Sequence, residues 1–176
     1  RQASPASSRR SRRTLAIMRG LAFCAVSTAL IASAHASSAS EGHAAAASIA
    51  AAKPLTKWDR ATLVSGDFNG DGRRDWAMVG YKGAGLELAI RIAGVKGRKT
   101  RTQFLAFGIG ASIQAAICEA PAKLQVDEQF CSPMDEALPG CRPSKIANSL
   151  NLSGGNCDSI HLYWNSDTSR MEWWRL

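Results

Sequence analysis

Oxygen ligands suited to a metal ion recur at every second position between residues 67 and 75. The residues that would provide them are Asp67, Asn69, Asp71 and Asp75 through their side chains and Arg73 through its backbone carbonyl. Ca²⁺ takes about six to eight oxygens, and loops of the form D-x-[DN]-x-[DN]-G offer them with this spacing. Gly72 stands where such a loop turns sharply, at a position that favours a residue without a Cβ. The segment therefore predicts a Ca²⁺ site.

The segments on either side of this loop predict strands. Residues 61–64 and 76–79 are short, apolar runs with β-branched members, as is typical of strands. An EF-hand would need flanking helices and a Glu at the twelfth position, where this chain has Met78. We therefore expect the loop to join two strands of a hairpin, which excludes an EF-hand.

Residues 64–77 read VSGDFNGDGRRDWA, and this stretch resembles the calcium loop of FG-GAP/VCBS-type repeats, the blades of integrin-α-like propellers. The resemblance covers about a tenth of the chain. A propeller needs several such blades, whereas the sequence contains one copy. The resemblance therefore implies a small exported bacterial protein with a single calcium loop, and Ca²⁺ as its cofactor.

The N-terminal segment predicts export. Residues 21–34 form an apolar run after a basic start, and Ala34-His35-Ala36 fits a signal-peptide cleavage site. The run is too short to span a bilayer stably. Met18 is the start that we favour, with residues 1–17 as an upstream extension, and a twin-arginine signal around residues 11–15 is the alternative. Cys24 does not fit a lipobox, so we expect a periplasmic or secreted protein without a membrane anchor after cleavage.

The remaining chain divides into a linker and a folded domain. Residues 37–54 are rich in Ala and Ser, which predicts a disordered or weakly helical linker that Pro54 ends. Residues 55–176 suit one domain with one core.

Removing residues 1–36 takes away six arginines and leaves 16 basic against 14 acidic residues, a net charge of +2 instead of +8. So small a charge argues against a nucleic-acid partner.

Four cysteines follow the signal peptide, and an even number in an exported domain predicts two disulfides with three connectivities. They are Cys118, Cys131, Cys141 and Cys157. Cys131 and Cys141 bracket a loop-like stretch that a bridge could close, so we favour their pairing and that of Cys118 with Cys157. A zinc site is disfavoured because no C-x₂₋₄-C pair occurs.

Short alternating apolar runs separated by glycines predict a mainly β fold, a small antiparallel sheet or sandwich-like single domain that includes the calcium-loop hairpin. The clearest strand is 86–92, which pairs as a hairpin with 102–107. A basic cluster at its tip, from Lys96 to Arg101, is interpreted as solvated surface. Further strands are expected at 124–126, 158–164 and 171–176, whereas 111–118 fits either a strand or a short helix.

The domain offers few catalytic groups. Its one histidine, His161, lies beside Tyr163 on a two-sided strand, and bridged cysteines would not serve as nucleophiles. We therefore expect a non-catalytic binding or accessory domain whose target is an unknown protein or carbohydrate. Tyr163, Trp173 and Trp174 form the candidate ligand surface, since adjacent tryptophans in a strand point to opposite faces. The alternatives are an inhibitor of a periplasmic enzyme and a hydrolase.

Overall fold

A computed structural model of the protein describes residues 26–94 and 99–176. The chain divides into two compact units, Arg1–Ala36 and Ser37–Leu176. Of the first unit, the structure describes the backbone of residues 26–36, which is helical. Most of the predicted signal peptide therefore lies outside the described residues, as do Lys96 and Arg98 of the basic cluster. None of the helices in the described part of the chain has the length and apolar content of a transmembrane span.

Helix α1 (Val26–Ala52) precedes a sheet that is built from contiguous sequence. The strands of this first sheet are β1 (Lys57–Trp58), β2 (Val64–Gly66), β3 (Asp75–Lys82), β4 (Gly85–Ile92), β5 (Arg101–Ile109) and β6 (Ala116–Ile117). Their order is β1-β3-β4-β5-β6, and β2 pairs with the same strand, β3, as β1 does. All of these pairings are antiparallel except the short parallel contact between β5 and β6.

The second sheet follows in the sequence. Its strands are β7 (Lys123–Glu128), β8 (Asn148–Ser153), β9 (Ile160–Asn165) and β10 (Arg170–Trp174), in the antiparallel order β10-β9-β8-β7. One apolar face of each sheet contributes to a shared core. Its members include Val79, Leu88, Ile90 and Phe107 from the first sheet and Leu150, Leu152, Ile160, Leu162 and Met171 from the second.

The expected mainly β fold is confirmed, together with the individual strands that alternation predicts. In β4, Leu86, Leu88, Ile90 and Ile92 all face the shared core. The ambiguous segment 111–118 contains only the two-residue strand β6. Strands β1 and β8 are not anticipated from the sequence, although the spacing of Leu150 and Leu152 in β8 carries the same period of two.

Residues 37–52 of α1 cover part of the outer face of the first sheet, which corrects the expectation of a linker at 37–54. Ala46 and Ile49 are buried against Met78 and Ala89 of β3 and β4. Alanine favours helix formation and lets a helix approach a sheet closely, so an Ala-rich segment can dock without a broad stripe of large apolar residues. The segment is therefore part of the folded unit.

A buried carboxylate ties the end of this helix to the sheet. Glu87, on the outer face of β4, accepts hydrogen bonds from the Lys53 ammonium at 2.6 Å and from the Thr56 hydroxyl at 2.5 Å. Its burial would raise its pKa, but these two hydrogen bonds and the charge of Lys53 outweigh that effect and lower it. Glu87 is therefore held in its charged form beneath the helix end.

Both favoured disulfides are present. Cys118 pairs with Cys157 and Cys131 with Cys141, with Cα atoms 5.6 and 5.5 Å apart, within the usual range for a bridge. The first bridge joins the segment after β6 to the β8–β9 connection, while the second closes a ten-residue separation within the second half of the chain. The cross-links therefore serve the second sheet and its junction with the first.

Candidate functional site

The predicted calcium loop connects β2 to β3, which pair as an antiparallel hairpin with Gly66 opposite Asp75. Gly70 and Gly72 have φ values of 72° and 79°. A Cβ added at Gly72 would meet no atom within 4 Å, so glycine is favoured there by backbone conformation and not by space. The turn that the sequence assigns to Gly72 is therefore present.

The base of the loop is anchored in the body of the domain. The Phe68 ring is fully buried in the shared core. The side-chain oxygen of Asn148 accepts from the Asp67 amide at 2.9 Å, and the Asn148 amide donates to the Asp67 carbonyl at 2.7 Å. Because Asn148 begins β8, the second sheet helps to hold the start of the loop.

Three of the predicted ligands point their oxygens toward the same turn. The Asp67 carboxylate accepts from the amides of Asp71 at 3.0 Å and Gly72 at 2.7 Å. The Asn69 side-chain oxygen also accepts from the Asp71 amide, at 3.1 Å, and the Asp71 carboxylate accepts from the Arg73 amide at 2.9 Å. Asn69 and Asp71 further contact each other through their side chains at 3.1 Å. These oxygens are thus gathered by the fold of the loop itself.

Asp75 occupies a different environment. Its carboxylate is fully buried and accepts from the Phe68 amide at 2.9 Å and the Ala93 amide at 2.7 Å. Burial raises the pKa of Asp75 to about 6, the charges of Asp71 and Asp67 add to the rise, and the two amides oppose it. The sequence carried a signal for this inward position, because Asp75 shares the strand period of the buried Ala77 and Val79.

The donor set partly fits a calcium ion. Within residues 26–94 and 99–176, no three His, Cys, Asp or Glu side chains are arranged so that they could hold a metal ion. Asp67, Asn69 and Asp71 nevertheless supply oxygens only, the type that Ca²⁺ prefers. A carboxylate oxygen that accepts one hydrogen bond keeps a second lone pair. The structure thus brings three of the side-chain ligands together and turns the fourth, Asp75, toward the backbone.

The three residues of the candidate ligand surface, Tyr163, Trp173 and Trp174, do not form one exposed face. Tyr163, one of the three candidate residues, is buried. Its hydroxyl donates to Glu172 at 3.2 Å, and burial, with the charge of Glu172, raises the pKa of Tyr163 to about 12. Trp173 packs edge-on against Phe107 with ring centroids 5.8 Å apart. Trp174 stacks on His161 at 4.4 Å, so the half-buried Trp174 and Trp173 lie on opposite faces of β10.

The disulfide-closed loop between Cys131 and Cys141 lies beside this hairpin. The Gly140 carbonyl accepts from the Ser166 amide at 2.8 Å, and Gly140 also lies against the Asn165 side chain, leaving no room for a Cβ. This contact, which sequence reasoning missed, places the loop next to the face that carries Tyr163. Its one sequence signal was the glycine that precedes Cys141.

Comparison with known proteins does not assign a family. No family model, no curated protein and no solved structure matches the chain. A functional assignment therefore depends on the chemistry of the calcium loop and of the surfaces around it.

Proposed function

We propose that this protein is an exported, non-catalytic binding or accessory domain whose first sheet is stabilised by one Ca²⁺ in the loop 67–75. The observation that carries the proposal is the convergence of the Asp67, Asn69 and Asp71 oxygens on one turn at the β2–β3 connection. The resemblance of this loop to FG-GAP/VCBS-type calcium loops supports the same ion.

The residues that would hold Ca²⁺ are Asp67, Asn69 and Asp71 through their side chains and Arg73 through its carbonyl, with Asp75 as the inner member of the set. The ion would supply positive charge among carboxylates whose mutual repulsion contributes to the raised pKa of Asp75. All five of these ligands come from one loop, and together they would fill most of the coordination positions of the ion. Such a site serves to stabilise structure, whereas catalytic metals keep positions open for substrate.

The two disulfides agree with export of the protein and with a stabilising role for Ca²⁺. Two disulfides brace the domain, and disulfides persist in oxidising compartments outside the cytosol. A small domain in such a compartment gains from cross-links and from a bound ion, because its core alone supplies limited stability. We therefore assign the ion to stability and place ligand recognition elsewhere on the surface.

Thermal unfolding of the disulfide-bonded protein tests the calcium assignment. Extracellular calcium modules have Kd values of roughly 10⁻⁴ to 10⁻³ M, so about 1 mM Ca²⁺ should add about 0.4–1.4 kcal/mol to the free energy of unfolding. The increase in Tm on adding Ca²⁺ should disappear in Asp71→Ala, since Asp71 contributes a central oxygen.

The matched control is Asp158→Ala, which removes one exposed loop carboxylate outside the site. This variant should keep the full calcium-dependent shift in Tm. If the wild-type protein melts at the same temperature in EDTA and in Ca²⁺, the loop does not bind the ion and the calcium part of the proposal is wrong.

A further inference from the structure

A cavity of about 430 Å³ lies between α1 and the outer face of the first sheet, next to the calcium loop. Its walls include Ala44 and Ala45 of the helix and Trp76 and Arg91 of the sheet. The loop contributes Arg73 and Arg74, which follow Gly72, and Thr100 closes the side toward β5. The cavity thus brings together three guanidinium groups from two separate segments of the chain.

These guanidinium groups are only partly neutralised. Arg74 lies 3.6 Å from the carboxylate of Glu41, the one acidic residue among the described residues that line the cavity, and 2.6 Å from the Ser38 hydroxyl. Arg73 donates to the carbonyl of Gly94, a neutral acceptor. The Arg91 side chain makes no hydrogen bond or ion pair with any residue in the part of the chain that the structure describes. Two positive charges therefore lack an acidic partner there.

The backbone of Arg91 is held in a defined position by the strands on both sides of it. It is half-buried on β4, opposite Trp76 on β3 and Thr102 on β5, so both edges of its strand are occupied. Across from it, the Trp76 ring packs against α1 so closely that a Cβ on Gly42 would lie 3.0 Å from the ring. The strand backbone and the Trp76 ring therefore form a set wall of the cavity, from which the Arg91 side chain extends.

We infer that this cavity binds the oxyanion group of a small ligand, that is, a carboxylate, sulfate or phosphate. Arg91 and Arg73 are its charged donors, since a guanidinium presents paired N–H groups that match the two oxygens of such an anion. The Thr100 hydroxyl is an additional neutral donor, and Trp76 offers an apolar wall to the remainder of the ligand.

The inference goes beyond the proposed function and does not depend on Ca²⁺. Arg91 belongs to β4 and not to the loop, and Arg73 contributes to the cavity through its side chain, whereas its carbonyl is the predicted ion ligand. Binding in EDTA and binding in Ca²⁺ can therefore be measured separately. Failure of calcium binding would leave the anion site standing, and failure of anion binding would leave the calcium loop standing.

Isothermal titration with glucuronate, phosphate and sulfate at constant ionic strength tests the inference, with glucose as the uncharged probe. Glucuronate is expected to bind and glucose is not. Arg91→Gln should weaken binding at least about tenfold, because a charge-assisted hydrogen bond is lost. Arg142→Gln is the matched control, since it removes the same charge from an exposed ion pair with Asp167 and should leave binding unchanged.

Arg73→Gln is a second variant, placed on an exposed side chain so that the test survives if Arg91→Gln does not fold. It should also weaken binding, while thermal unfolding shows whether each variant is folded. Binding of all three anions would support a site for simple oxyanions, and binding of glucuronate alone would support an acidic sugar. The inference is overturned if no anion binds, or if both arginine variants bind as the wild type does.

Discussion

The outer faces of the two sheets both bury polar side chains, but they are covered in different ways. On the first sheet, Glu87 lies under the end of α1 and is held by Lys53 and Thr56, with no covalent bond involved. On the second, Tyr163 is buried, and the loop that the Cys131–Cys141 bridge closes contacts the same face at Asn165. The same alternating strand pattern thus carries a helix tied by charge on one sheet and a disulfide-closed loop on the other.

Because the two contacts differ in kind, we expect different solution conditions to weaken them. The helix over the first sheet depends on an ionised carboxylate, so acid should weaken it. The loop beside the second sheet is closed by a disulfide, so reduction should weaken it. The buried phenol of Tyr163 should make the same face sensitive to alkali. Three experiments test this contrast.

Removing the disulfides should have the largest effect. The chain-entropy model gives about 4 kcal/mol for the bridge between Cys118 and Cys157 and about 3 kcal/mol for that between Cys131 and Cys141. Paired Cys→Ser variants should lower the urea midpoint accordingly, and thiol labelling of the denatured wild type should find none of these four cysteines free. Unchanged midpoints in both paired variants would show that the bridges do not stabilise the second sheet.

Breaking the helix contact should have a smaller effect. Glu87→Gln removes a charge-assisted hydrogen bond at a largely buried position and should cost about 1–3 kcal/mol near neutral pH. The control is Glu136→Gln, which changes an exposed carboxylate and should be nearly neutral.

Glu87→Gln also tests how the stability contributed by Glu87 depends on pH. The expected sign is opposite to that for a buried carboxylic acid whose pKa is raised. Because the pKa of Glu87 is lowered in the folded state, its contribution is present above the ordinary value of 4.5 and is lost as pH falls through the lowered value. The stability difference between wild type and Glu87→Gln should therefore shrink in acid. A difference that stays constant down to strongly acidic pH would contradict the ionic tie between helix and sheet.

The smallest effect is expected at Tyr163. Tyr163→Phe removes one hydrogen bond to Glu172 and should cost about 1 kcal/mol at neutral pH. The folded-state pKa of about 12 exceeds the ordinary value of 10, so the stabilisation is present below pH 10 and is lost as pH rises toward 12. Urea unfolding from neutral to alkaline pH should show this loss in the wild type, and it should be reduced in Tyr163→Phe. An equally steep loss in both would assign the alkaline sensitivity to other groups.

Sequence periodicity predicted which residues face the shared core but not what covers the opposite faces. The alternation of residues 86–92 puts Leu88 and Ile90 on one face of the strand and Glu87 on the other, but it carries no signal that α1 would bury Glu87. Small alanines and Ile49 carried the helix contact, and these lack the repeated large apolar residues by which an amphipathic helix is found. Tyr163 shows the same limit, because its burial is set by neighbours that are distant in sequence or across a strand.

The loop was predicted better than its surroundings. Spacing identified the turn at Gly72 and the gathering of Asp67 and Asp71, because these depend on bonds between residues a few positions apart. The inward carboxylate of Asp75 depends on Ala93, which is distant in sequence. The arginine cavity likewise requires β4 to bring Arg91 beside the loop, a juxtaposition that only the pairing of strands creates.

Each sheet is made of contiguous sequence, with β1 to β6 complete before β7 begins at Lys123. A chain that emerges from its N-terminal end can therefore form every strand pair of the first sheet while the second is still being made. Until the second sheet arrives, however, Val79, Leu88 and Ile90 have no apolar layer against them. A first sheet formed alone would therefore expose an apolar face. The time until residues 123–176 emerge sets how long this face is open to self-association.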